Sequence, residues 1–82
     1  MHIVELFYAE GDRQSREAKR IFSEVVEESD DVMLIGHDIE SDPGIRKASA
    51  MDVYEVPTAI IDRERAMVGV PHSKEQVLRS LR

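Results

Sequence analysis

Residues 56–61 read Val-Pro-Thr-Ala-Ile-Ile, and this stretch decides how the chain is expected to fold. The run is rich in β-branched and apolar side chains, which is typical of a buried strand. Proline has no N–H for strand pairing, so within sheets it is confined to strand starts, edge strands and bulges. The sequence therefore predicts the third strand of the protein here, with Pro57 at its opening.

The residues that follow indicate a hairpin and a closing helix. Asp-Arg-Glu-Arg at positions 62–65 predicts a polar turn into a fourth, antiparallel strand over residues 66–69. Ser73 and Gln76 have the spacing of a capping box. Val77, Leu78 and Leu81 then give the last helix one apolar side.

The residues before this stretch indicate a strand, a helix and a second strand. Residues 3–9 form a nearly continuous apolar run, which is typical of a central strand buried on both faces. Apolar residues then recur at helical spacing over residues 13–28. A second strand is predicted over residues 32–38, and the intervening helix favours parallel pairing with a right-handed connection.

A short helix over residues 43–51 completes the pattern, with Ser41 or Asp42 as its N-cap and Pro43 in its first turn. The order βαβαββα predicts one α/β domain over residues 1–82. A ferredoxin-like sandwich would need the order βαββαβ. Pro57 and the terminal helix argue against that alternative.

Charge and composition exclude several classes of partner. The chain has 17 Asp and Glu against 11 Lys and Arg, for a net charge of −6. This balance disfavours a general nucleic-acid binder and a polybasic membrane anchor. The first residues lead into a strand without the features of a secretory signal, so we expect a cytoplasmic protein. The chain has no cysteine, which excludes disulfides and thiolate metal ligands.

The histidines and methionines carry weaker signals. His2, His37 and His72 lie on separate elements without ligand spacing, so we expect no metal site. A hydrolase built from Ser15, His72 and Asp12 lacks a nucleophile elbow or a glycine-rich oxyanion loop. We interpret the methionines at positions 33, 51 and 67 as core residues, and the polar residues at 37, 38 and 40 as a solvated strand end.

The strand and helix order, the Val-Pro-Thr element at residues 56–58 and the exit through a glycine to the last helix resemble small thioredoxins and glutaredoxins. The resemblance is closest to the compact archaeal glutaredoxin-like thioredoxins and covers the chain from Val4 to Leu81. It implies a four-stranded mixed sheet in the order 2-1-3-4. It also implies a cis peptide bond before Pro57, facing the start of the first helix.

The same resemblance places the family's Cys-X-X-Cys motif at Asp12 and Ser15, where this chain has no thiol. Disulfide exchange requires a thiolate that attacks sulfur, and neither a carboxylate nor a hydroxyl performs that reaction. We therefore interpret Asp12 mainly as the N-cap of the first helix, and Ser15 as an ordinary residue of its first turn.

Arg13 and Arg16 lie in that same first turn, where cationic side chains oppose the helix dipole. Together with the free amides of a helix start, they would suit a small anion, a carboxylate or an acidic peptide. The alternative is that Glu10, Asp12 and Glu17 neutralise both arginines at the surface.

The resemblance also gives a role to residues 56–58. In the family, the residue before the cis proline offers its backbone N–H and C=O to an extended peptide or to glutathione, so Val56 would do so here. The alternative is that the turn of Pro57 and Thr58 only shapes the end of the sheet.

The hypothesis is therefore a redox-inactive binding or scaffold module with a protein partner and no cofactor, which uses the surfaces around residues 12–16 and 56–58. One alternative is an oxidoreductase relative whose active motif was lost or altered, and another is a non-redox transferase that binds glutathione.

Overall fold

A computed structural model describes residues 1–82 and shows four strands and three helices in the predicted order. Their bounds are β1 His2–Tyr8, α1 Arg13–Glu28, β2 Val32–Asp38, α2 Asp42–Ala50, β3 Thr58–Ile61, β4 Arg65–Val68 and α3 Lys74–Ser80. None of the helices combines the length and apolar character needed to cross a membrane.

The four strands form one mixed sheet in the order β2-β1-β3-β4. β1 pairs with β2 in parallel and with β3 in antiparallel orientation, and β3 and β4 form the hairpin. This is the order implied by the resemblance, and it confirms the predicted thioredoxin-like α/β class over the ferredoxin-like alternative.

The sheet is covered unequally on its two faces. On one face, Val4 and Leu6 of β1 pack into the main core with apolar residues of α1 and α3 such as Phe22 and Val77. On the other face, a smaller cluster joins Phe7, Ala48 of α2 and Val53. The short helix α2 leaves part of this second face exposed, and we call it the α2 face.

Each helix is preceded by an N-cap residue whose side chain accepts a hydrogen bond from a free amide of the first turn. The Asp12 carboxylate accepts from Ser15 N at 2.9 Å, which confirms the predicted cap of α1. Ser41, one of the two residues proposed, caps α2 through Gly44 N at 3.1 Å. Ser73 caps α3 through Gln76 N at 3.2 Å.

Gly44 shows how closely α2 approaches the end of β2. A Cβ atom at this position would lie 1.7 Å from the backbone oxygen of Asp38. Only a residue without a side chain fits there, so the sequence pair Pro43-Gly44 fixes the position of α2 as well as its start.

Several local expectations were wrong. β1 and α2 each begin and end one residue earlier than predicted. β3 begins at Thr58, and Val56 and Pro57 belong to the preceding loop. β4 covers Arg65–Val68 and therefore begins and ends one residue earlier than predicted. Met33 is not a core residue, because its side chain lies on the incompletely covered α2 face and is 47% exposed.

Candidate functional site

The start of α1 is closed by a network of its own side chains. Ser15 Oγ donates to Asp12 Oδ2 at 2.8 Å and accepts from Ala9 N at 3.2 Å. Ser15 is 1% exposed, and its hydroxyl links the end of β1 to the start of α1. It is therefore not the ordinary first-turn residue that we expected. Because this hydroxyl is buried and already both donates and accepts a hydrogen bond, it is not available as a nucleophile at the surface.

The two arginines of the first turn are not neutralised as the alternative predicted. No carboxylate lies within ion-pair distance of Arg13 or Arg16, and Arg16 donates to the backbone oxygen of Glu10 at 3.1 Å. Glu17 is held by Arg20, whose hydrogen bond lowers the pKa of the Glu17 carboxyl, while Arg13 contributes less to this shift.

The unpaired arginines border an open groove. The groove has a volume of 580 Å³ and runs between the first half of α1 and Val70. Its lining is polar, with Arg13 and Arg16 as the cations that have no carboxylate partner. Such a lining suits an anionic group at low cost, since the guanidinium donors are already in place.

The loop at residues 56–58 leaves one residue without backbone hydrogen bonds. The Val56–Pro57 peptide bond is cis. On either side of Val56 the backbone oxygens are used: Pro57 O accepts from Gly69 N at 2.8 Å, and Glu55 O accepts from Thr58 Oγ1 at 2.7 Å. Neither the N–H nor the C=O of Val56 has a partner.

The reason is the path of β1. Thr58 pairs with Phe7, so the antiparallel register places Val56 opposite Ala9. At Ala9 the chain has already turned towards α1, because Ala9 O accepts from Asp12 N and Ala9 N donates to Ser15 Oγ. The hydrogen bonds at the start of α1 therefore use the backbone groups of Ala9, with which Val56 would pair if β1 were longer.

A second, apolar groove lies beside Val56 on the α2 face and has a volume of 260 Å³. Ile39, Ile45 and Val53 contribute to its apolar lining, and Tyr54 stands at its edge with 83% of its surface exposed. The sequence analysis missed this groove. A signal was present, because Tyr54 is an aromatic residue in the loop directly before the Val-Pro-Thr element.

Sequence reasoning also missed Glu5, a charged residue in the centre of the sheet that is 3% exposed. Its Oε1 lies 3.0 Å from His37 Nε2 and 3.6 Å from Lys47 Nζ. Its Oε2 has no hydrogen-bond partner, since the nearest cation, Arg63 Nε, is 3.9 Å away and too distant. We call Glu5, His37, Lys47 and Arg63 the Glu5 cluster.

The Glu5 cluster corrects the interpretation of His37 as part of a solvated strand end. The His37 ring stacks on Phe7 with their centroids 4.7 Å apart, and its side chain is mostly buried. The alternation of β1 explains this position, because Glu5 and Phe7 both point to the α2 face.

The remaining candidates are not brought together. No hydrogen bond joins His72 to Ser15 or Asp12, which bond to each other and to the start of α1, so the hydrolase triad is not assembled. His2 is bonded to Asp62 at 2.7 Å, at the start of β1. No group of three metal-ligating side chains is present.

Comparison with known proteins shows the fold alone. No family model and no curated protein matches the sequence. Chloroplastic thioredoxin z is similar in structure, with a TM-score of 0.83, 16% identity, and coverage of 99% of this chain and 75% of that one. Thioredoxin O2 from Arabidopsis thaliana, in its oxidized state, has a TM-score of 0.80 and 22% identity over 99% and 71% of the two chains.

A chain from the structure on the thiol-resolving mechanism of yeast mitochondrial 1-Cys peroxiredoxin is also similar. Its TM-score is 0.79, with 18% identity over 96% of this chain and 74% of that one. The fold is therefore thioredoxin-like, as the resemblance implied.

Proposed function

We propose that this chain is a thioredoxin-like binding domain without redox activity, which holds an extended segment of a partner protein against Val56. The unpaired backbone of Val56 is the observation that carries the proposal. A partner strand could continue the direction of β1 beyond Ala9, next to Val56. It would accept a hydrogen bond from Val56 N–H and donate one to Val56 C=O. This is strand addition, in which main-chain hydrogen bonds give affinity.

The surfaces on both sides of Val56 define the partner's side chains. The apolar groove at Tyr54 suits a hydrophobic side chain. The groove at Arg13 and Arg16 suits an acidic side chain or a terminal carboxylate. Val70 of that groove follows Gly69, which is bonded to Pro57, so both grooves adjoin the same loop.

The absence of thiols supports the same proposal. With no cysteine in the chain, the geometry shared with thioredoxins has no thiolate to attack a disulfide. A turbidity assay of insulin reduction by dithiothreitol is expected to run at the background rate with this protein. A rate above background would show that the domain is not redox-inert.

Peptide selection tests the binding step directly. A random peptide library displayed on phage is panned against the immobilised protein, and a recovered peptide is titrated while amide shifts are followed. The Val56 amide is expected to move most. Val56→Asp should weaken binding about tenfold through the charge it adds beside the apolar groove. Met33→Asp, at the far end of the sheet, is the matched control and should leave the affinity unchanged.

Methylation of the peptide backbone, one nitrogen at a time, tests strand pairing. The methyl group on the nitrogen that donates to Val56 C=O should cost about tenfold in affinity or more, and methyl groups on the two neighbouring nitrogens should cost little. If no methylation matters, or if no peptide binds with a Kd below about 1 mM, which corresponds to a binding free energy of about −4 kcal/mol, the proposal is wrong. Titration with glutathione distinguishes the transferase alternative, which would require saturation at this site.

A further inference from the structure

β2 is an edge strand whose outer side is unprotected. It lies at the end of the sheet, where β1 is its only neighbouring strand. Residues 32–37 read Val-Met-Leu-Ile-Gly-His, and the one acidic residue of β2 is Asp38 at its end. Natural sheets usually protect such edges with charges, prolines, bulges or a covering segment, because an open apolar edge pairs with other chains.

The other edge of the same sheet is different. β4 has only four residues and begins with Arg65, directly after Arg63 and Glu64 in the turn. Short length and charge are two of the common protections of an edge strand. The contrast within one sheet singles out the open side of β2.

Hydrogen bonds at the two ends of β2 show which backbone groups face outward. Asp31 O accepts from His2 N, and Ile39 N donates to Tyr8 O. Both bonds run to β1, so the odd-numbered residues of β2 direct their N–H and C=O groups to β1. Successive residues of a strand alternate, so the groups of Val32, Leu34 and Gly36 face the open edge.

The side chains of the odd-numbered residues lie on the incompletely covered α2 face. Met33 is 47% exposed and Ile35 is 37% exposed, and Ile3, which pairs with Met33, is exposed beside them. This row of large apolar residues continues directly to the open edge.

We propose that the open edge of β2 pairs antiparallel with β2 of a second copy of this chain, across a twofold axis at Leu34. In that register Val32 lies opposite Gly36 of the second copy, and the outward N–H and C=O groups of Val32, Leu34 and Gly36 all meet partners. The same interface residues serve both copies, which is the arrangement of an isologous dimer.

In this register the centre of β2 complements itself. Met33 falls opposite Ile35 of the second copy, so the exposed apolar residues cover each other as close cross-strand pairs. At both ends Asp31 falls opposite His37, whose Nε2 is used by Glu5 and whose Nδ1 has no partner. Asp38 falls opposite Asp30 in the same register, so the interface has an apolar centre and polar, acidic ends.

Sedimentation equilibrium of the wild-type protein between about 10 μM and about 1 mM tests the association, because the dimer fraction follows mass action. We expect the mass to rise from 9.4 kDa towards twice this value. Each copy carries a net charge of −6, so added salt should strengthen the dimer. A protein that keeps the mass of one chain over this range would overturn the proposal.

Substitutions test the surface and the register. Met33→Lys and Ile35→Glu are each expected to raise the dimer Kd about tenfold, since each acts twice across the axis. The double variant M33K/I35E places Lys opposite Glu at both positions and should recover most of the affinity. Val68→Lys, at the opposite edge of the sheet, is the matched control and should leave Kd unchanged. Circular dichroism checks that each variant is folded.

Amide hydrogen exchange tests the same interface in the wild-type protein, without any substitution. On concentrating the wild-type protein, protection should rise at Leu34 and Gly36, whose amides face outward, and stay constant at Ile35, whose amide is already bonded to β1. An effect of Val68→Lys equal to that of Met33→Lys, a failure of the double variant to recover, or protection that does not follow this alternation would each refute the proposed interface.

Discussion

Replacing Glu5 with leucine is expected to stabilise the fold, although it removes every ion pair of the Glu5 cluster. The carboxylate is 3% exposed, and burying a charge costs several kcal/mol. Its unpaired Oε2 adds a further cost of about 1–3 kcal/mol. Leucine would pack between Ile35 and Ile60, the cross-strand neighbours of Glu5, and contribute about 1.5–3 kcal/mol by burial.

The interactions lost are weaker than these terms. The hydrogen bond to His37 contributes about 1.5–3 kcal/mol, since it involves a charged group. Lys47 and Arg63 are long contacts to cations that reach solvent, and such pairs contribute about 0–1 kcal/mol each. Both cations return to water when Glu5 is removed, so no buried charge is left behind. The net gain should be about 1–4 kcal/mol, the range measured when buried ion pairs are replaced by apolar residues.

Urea denaturation at pH 7 measures this gain, and calorimetry should show a melting temperature raised by at least about 4 °C. His37→Leu gives the opposite result, because it leaves the buried carboxylate without its hydrogen bond, and should cost about 3 kcal/mol. The same substitution in the Glu5→Leu background should cost much less. A Glu5→Leu variant less stable than wild type by more than about 1 kcal/mol would refute the reasoning, since it would mean that the cluster outweighs the cost of burying the charge.

Three further predictions concern the backbone and its caps. Gly44→Ala should destabilise the fold by about 3 kcal/mol or more, because the new Cβ meets a backbone oxygen at 1.7 Å, whereas Gly11→Ala has open space and should be close to neutral in the same denaturation assay. Asp12→Ala should cost about 1 kcal/mol through loss of the α1 cap, and an unchanged midpoint would contradict the role given to the carboxylate. Asp62 has its pKa lowered by hydrogen bonds from His2 and from a β1 amide, so its contribution to stability is present above its usual value of 3.8 and is lost as the pH falls below it. Asp62→Asn, which tolerates the left-handed backbone at this position, should therefore be less stable than wild type at pH 7 and equal to it near pH 2, as measured by thermal melts.

The elements that the sequence predicted well are those decided by local chemistry. Asp12 lies directly before an apolar repeat of helical period, and α1 covers the predicted residues 13–28. The order of strands and helices along the chain then restricted the sheet topology to a few arrangements. The start of β3 was predicted too early because proline and valine favour extended backbone whether or not a neighbouring strand is present.

The parts that were missed depend on contacts that the spacing of residues in the sequence does not determine. The predicted burial of residues 3–9 on both faces of the sheet implied that Glu5 is buried, but the run Val-Glu-Leu-Phe does not show its partners, because they come from β2, from α2 and from the turn after β3. One alternative was that Glu10, Asp12 and Glu17 neutralise the arginines of the first turn, but Arg20 holds the Glu17 carboxylate from the next turn of α1. Several basic side chains can reach the same carboxylate, and the spacing of residues in the sequence does not determine which of them pairs with it.

The two proposals rest on unpaired backbone groups that arise from different causes, so they can fail separately. Val56 lacks a partner because β1 turns into α1 at Ala9, and β2 lacks one because it ends the sheet. Val56 precedes β3, two strands from the open edge, so a peptide at Val56 leaves that edge free. A dimer through β2 would therefore present two Val56 sites at once. A partner with two binding segments on a linker that spans both sites should then bind far more tightly than one segment does, and M33K should abolish this gain while leaving the affinity of the single segment unchanged.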